Sequence, residues 1–140
     1  MTPLERRHRA IERTMARYRG RPFAWGKVDC AKVAAYHLKQ LGHPIFISKA
    51  GSYASPVSAR RALARLGHDS LPSLIDGLGL SRIPHSRLLL GDIIVNDGHA
   101  GLDAIGLYAG NGHVLGFHED HLDQGLVAMD VAPAIAWSVL

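Results

Sequence analysis

The chain contains one cysteine, Cys30, in the run Phe23-Ala24-Trp25-Gly26-Lys27-Val28-Asp29-Cys30. A single thiol forms no intrachain disulfide and builds no Cys-rich zinc site, so any chemistry lies in its thiolate. Three further features could serve a nucleophile. Asp29 precedes it as a candidate helix cap, which would place Cys30 in the first turn. The unpaired N–H groups there carry partial positive charge, which favours thiolate over thiol and offers oxyanion donors. Histidines lie downstream at His99, His113, His118 and His121, and imidazole is the usual base for a thiol. The competing reading is that a free cysteine is a small buried hydrophobe.

The tract His118-Glu119-Asp120-His121-Leu122-Asp123 holds five ligand-type side chains in six residues. His118 and His121 with Asp123 or His113 would suit a divalent ion, but no standard metal spacing is met. We read the tract as a solvated acidic loop and expect neither metal nor cofactor.

These residues need elements to position them. Thr2-Pro3 opens a first helix, with Leu4, Ile11, Met15 and Tyr18 as its apolar stripe and Gly20 as its stop. The arginines of residues 5–21 read as a solvated face of this helix. A second helix runs from Asp29 to Gly42 and is rich in Ala, as expected of the central helix of a core. A third starts at Ser55-Pro56 or Ser58, and a fourth covers Ser70 through Leu78. Beyond Pro84 the pattern turns to strands, at 92–96, 104–109, 113–117, 126–129 and 135–139. Gly110-Asn111-Gly112 is a strong hairpin signal. Asp92 reads as a strand-start residue. Helices followed by an antiparallel sheet predict an α+β fold, not a doubly wound one.

With 140 residues, 47% hydrophobic, the chain suits one domain, 1–140, with a basic helix at 1–20 and a motif-bearing core at 22–117. No apolar run approaches the ~20 residues of a membrane span. The first residues lack a secretory h-region, so synthesis in a cytoplasm without export by that common route is expected. The net charge of +4 is strongly polarised. Residues 1–27 carry eight Lys/Arg and two Glu, whereas residues 88–140 carry seven Asp/Glu and no Lys or Arg. Such a chain can pair its own ends or stack head to tail with copies or partners. No nucleic-acid motif accompanies the basic residues.

Phe23-Ala24-Trp25-Gly26 with Asp29-Cys30, Gly91-Asp92-Ile93-Ile94-Val95, and Ile105 through Gly112 occur in one order. Together they resemble the signatures of NlpC-type, papain-like cysteine peptidases. The resemblance implies N-terminal helices packed on a C-terminal antiparallel sheet, with Cys30 as nucleophile. Phe23, Trp25 and Asp29 would line the substrate cleft, and murein stem peptides would be the substrate. The Arg-rich first helix, Arg21-Pro22-Phe23-Ala24-Trp25-Gly26…Asp29-Cys30-Ala31, Ser58-Ala59…Ala62-Leu63 and Ala136-Trp137 are similar to a short branch from phage tail gene regions. That branch implies a tail-tip or tail-assembly protein with other tail proteins as partners, made in the bacterial host cytoplasm and incorporated in the virion tail.

The sequence departs from the peptidase pattern at two positions. Laid without a gap, the catalytic His position is Ala104, and the orienting residue is Gly116. His99, in a loop before the strand, is the first substitute base and His118 the second. Loss of both positions favours a structural role on a degenerate triad. The alternative is an active cysteine amidase or endopeptidase with a displaced base.

Overall fold

The computed structural model describes residues 1–45, 51–96, 104–130 and 135–140. Thr2 caps the first helix, α1 (Pro3–Tyr18), its side chain accepting from the Glu5 N–H at 3.1 Å. The face that α1 buries is not the expected stripe. Arg7, Ala10, Thr14 and Tyr18 are buried, Ile11 and Met15 are half-buried, and Leu4 is 64% exposed. The small side chain of Ala10 lets the helix sit close, and the two polar residues are buried with partners.

Those partners correct the reading of a wholly solvated basic helix. The Arg7 guanidinium donates to Asp92 Oδ1 at 2.6 Å and to the Leu90 carbonyl at 2.9 Å. Asp92 is fully buried and is more than a strand start. Its Oδ1 also accepts from the Val139 N–H at 3.0 Å, and its Oδ2 accepts from the Leu89 N–H at 2.9 Å. One carboxylate thus ties the first helix, the sheet and the C-terminal segment together. Beside it, His37 Nε2–H donates to the Gly91 carbonyl at 2.8 Å, while Nδ1 lies 3.3 Å from Thr14 Oγ1. Burial holds the His37 pKa below its ordinary value, which keeps the imidazole neutral.

The second helix, α2 (Cys30–Gln40), buries Val33, Ala34, Ala35, His37 and Leu38. α3 (Pro56–Arg65) starts in a capping box between Ser55 and Ser58. α4 (Leu71–Asp76) is capped by Ser70 and is shorter than expected.

The strands are β1 (Ser81–Ile83), β2 (Ile93–Asn96), β3 (Ala104–Gly110), β4 (His113–Gly116), β5 (Val127–Asp130) and β6 (Ile135–Ser138). They form a six-stranded antiparallel sheet in the order β1-β6-β2-β3-β4-β5. β1 went unread in the sequence because three residues carry too little alternation. The β3–β4 turn is as expected: Asn111 has φ 54° and Gly112 φ 76°, the left-handed pair a two-residue turn requires.

The sheet has two distinct faces. Ile93, Val95, Ile105, Leu107 and Trp137 pack in the main core with Val33, Ala34 and Leu38 of α2, and Cys30 packs against this group. Ile94, Val114 and Ala136 form a separate cluster on the other face, joined by Tyr108 and Met129. No described helix is long and apolar enough to cross a membrane.

Candidate functional site

Asp29 caps α2 as expected. Its Oδ1 accepts from the Lys32 N–H at 2.9 Å and its Oδ2 from the Gly26 N–H at 2.8 Å. This closes the Trp25–Asp29 turn and places Cys30 as the first residue of the helix. Gly26 is required twice over. Its φ is +77°, and a side chain there would overlap the Tyr53 carbonyl oxygen.

The thiol is half-buried. Burial pushes its pKa from 9.0 up to about 11, and the adjacent Asp29 charge adds to the rise. Main-chain hydrogen bonds from Ile105, Ala31 and Cys30 itself pull the other way and do not prevail. The expectation of a thiolate favoured by the helix start is therefore corrected. The partial charge of a helix terminus is worth ~1 kcal/mol, and here desolvation outweighs it.

Tyr53 is the member of the site that sequence reasoning missed. Its hydroxyl is hydrogen-bonded to Asp29, and burial together with the Asp29 charge pushes its pKa well up, so it stays a proton donor to the carboxylate. Lys32 Nζ lies 5.8 Å from the Tyr53 ring centroid. Nothing in the Gly51-Ser52-Tyr53 run signals this role, because the contact is made by folding, not by spacing. Cys30, Trp25, Asp29 and Tyr53 line a cavity of about 50 Å³ whose far wall is apolar, from Ala59, Ala62 and Leu63 of α3 and Leu71 and Leu74 of α4.

Phe23 does not line this cavity; it stands between Trp25 and Phe117, with edge-on ring contacts of 5.0 and 5.2 Å. Its N–H donates to the Leu122 carbonyl at 2.9 Å, which lays the 118–124 loop against the segment before α2. The structure thus brings Trp25, Asp29 and Cys30 around one cavity and sets Phe23 against Trp25, outside its lining.

The histidines are placed differently. His118 is turned into its own loop: Nδ1 accepts from the Asp120 N–H at 3.1 Å, and its ring lies 5.2 Å from that of His121. It is not among the groups acting on the Cys30 thiol. His99 lies outside the described residues. His113 sits at the other end of β4, with Nε2 3.7 Å from Asp130 Oδ1. No three His, Cys, Asp or Glu side chains converge as metal ligands among the described residues.

Positions 104 and 116 share one face of the sheet. The β2–β3 register is regular from Ile93↔Leu107 to Asn96↔Ala104, so Ala104 shares a face with Gly106, away from Ile105 and Leu107. Gly116 lies on that same face, where an added side chain would meet Met129. Cys30 packs against the main core, and its sulfur is hydrogen-bonded to the main chain of Ile105, the residue after Ala104.

Cys30 at the head of a central helix, packed on an antiparallel sheet, defines the chain as an NlpC/p60-type α+β fold. The chain belongs to the family described as Domain of unknown function (DUF6950), which matches residues 2–139. Among solved structures it is similar to RipD from Mycobacterium tuberculosis, described as a non-catalytic NlpC/p60 domain protein adapted to peptidoglycan binding. The TM-score is 0.52 at 17% identity, over 96% of this chain and 98% of that one. The P60 domain of antigen MAP1272c from M. avium paratuberculosis also matches, with TM-score 0.45 and 18% identity over 94% of each chain. No curated protein sequence matches.

Proposed function

We propose that this chain is a non-catalytic member of the NlpC/p60-type fold that serves as a phage tail-tip or tail-assembly protein. It would be made in the bacterial host cytoplasm and carried into the virion tail. The observation that carries the non-catalytic part is the state of Cys30. Burial pushes its pKa up to about 11, and no imidazole among the described residues is hydrogen-bonded to it. A thiol without a base neither attacks a peptide carbonyl nor returns a proton to the leaving amine. RipD, which shares the fold, is itself described as non-catalytic. The tail assignment draws support from the Arg-rich first helix and the Arg21-to-Ala31 motif of the phage branch.

A second reading is favoured by one feature. Main-chain donors at Cys30, Ala31 and Ile105 reach the sulfur and pull its pKa down, as the nucleophile of an amidase requires. In that reading Cys30 attacks a murein stem peptide held by Phe23, Trp25 and Asp29, with His99 or His118 as base.

Thiol alkylation across pH separates the two. The non-catalytic reading expects a Cys30 pKa near 11, unmoved in His99→Ala and His118→Ala, and no release of peptide from purified murein. A pKa below ~8.5 that rises in one of those variants would establish the amidase and name its base. The tail role expects co-purification with tail proteins from a phage lysate.

A further inference from the structure

Arg6, Arg9 and Arg13 fall at spacings of three and four, so they share one side of α1. With Ala10 as floor and Gln40 from the end of α2, they line a groove of about 240 Å³. Arg6 donates to the Leu41 carbonyl at 3.0 Å, and Arg13 donates to Gln40 Oε1 at 3.3 Å. These bonds hold the two guanidinium groups in place and leave further N–H groups facing outward. Arg9 makes no hydrogen bond or ion pair among the described residues. The acidic residues of α1 do not neutralise the groove: Glu5 accepts from Thr2 Oγ1 at 3.1 Å, and Glu12 faces His8 at 3.1 Å. Three like charges along one helix face are locally unfavourable, and a bound carboxylate partner reverses that sign.

The chain carries the complementary surface itself. Asp120 and Asp123 are exposed in the loop that follows β4. That loop is seated at the other end of α1, through the Arg19↔Gly125 pairing and the Phe23–Leu122 hydrogen bond. Arg9 and Arg19 are ten residues apart on one straight helix, or about 15 Å at 1.5 Å per residue. Within the described chain Arg6 and Arg13 bond to Leu41 and Gln40 and not to this loop, so the groove and the loop are left to meet between molecules.

We propose that the Arg6–Arg9–Arg13 groove receives the acidic 118–124 loop of a second copy of this chain, giving a polar head-to-tail contact. This interface deepens the assembly role proposed above and rests on that reading. The contact is heterologous: each molecule offers a groove at one end and a loop at the other. It therefore propagates into a ring or a filament and does not stop at a symmetric pair. Planar guanidinium forks match carboxylates bidentately, and the chain carries exposed carboxylates at Asp120 and Asp123.

Sedimentation of the nuclease-treated full chain tests the contact. Association should rise with concentration and weaken at least about tenfold between ~0.05 and ~0.5 M NaCl. Arg9→Gln/Arg13→Gln alone should be monomeric, as should Asp120→Asn/Asp123→Asn alone. Mixing wild-type groove with wild-type loop, one from each variant, should restore pairs and nothing larger; this also shows that both variants are folded. A wild-type chain that is monomeric at low salt would overturn the proposal. So would association that survives in the arginine variant, or association that nuclease abolishes, the latter assigning the groove to nucleic acid. The Cys30 thiol titration is independent of these outcomes, and an inert thiol with tail co-purification would leave the assembly reading standing if this contact failed.

Discussion

At the scale of single residues, the site turns on what surrounds one sulfur. Cys30 stands where partial positive charge would ionise it, yet burial and Asp29 hold its proton on to about pH 11. This links to stability with a definite sign. The folded chain keeps a proton that the unfolded chain gives up near pH 9.0, so Cys30 supports folding fully below that pH and less as pH climbs through 11. Urea unfolding of wild type and Cys30→Ser at about pH 8 and about pH 10.5 should show it. Wild type should lose stability relative to the serine variant at the higher pH, because serine has no proton to surrender there. Equal losses in the two proteins would remove the buried-thiol account.

At the scale of elements, α1 joins the body through a face that hydropathy does not reveal. Arg7 and Arg9 look alike in sequence, two arginines in one basic run. Arg7 is 4% exposed against a fully buried Asp92. Arg7→Ala should cost about 3–5 kcal/mol, since it strands a buried carboxylate. Arg9→Ala should change stability by no more than ~0.5 kcal/mol. Denaturant midpoints of the two variants check the contrast.

The same comparison shows what was legible. Caps and stops are local signals, so Thr2, Asp29, Ser55 and Ser70 marked their helices correctly, and Asn111-Gly112 marked the hairpin. The buried stripe of α1 was not legible, because Arg7 and Thr14 are buried by partners more than twenty residues away. Tyr53 was hidden for the same reason. Cys30 could be placed at a helix start from its neighbours, but its protonation depends on a cavity wall supplied by α3 and α4.

At the scale of the whole molecule, charge is sorted along one axis. A basic groove lies at the end of α2 and an acidic loop lies near its start. The sheet adds a second division, between the face that carries the main core and the face that carries Ile94, Val114 and Ala136. The main-chain hydrogen bond from Ile105 to the Cys30 sulfur ties the start of β3 to the head of α2. Ala104→His would place an imidazole on the residue next to that contact. The Cys30 alkylation profile should then move to lower pH; an unmoved profile would show that the added ring does not reach the sulfur. The seam between helix and sheet is thus where the reactivity of this thiol is set, one substitution away from the strand that borders it.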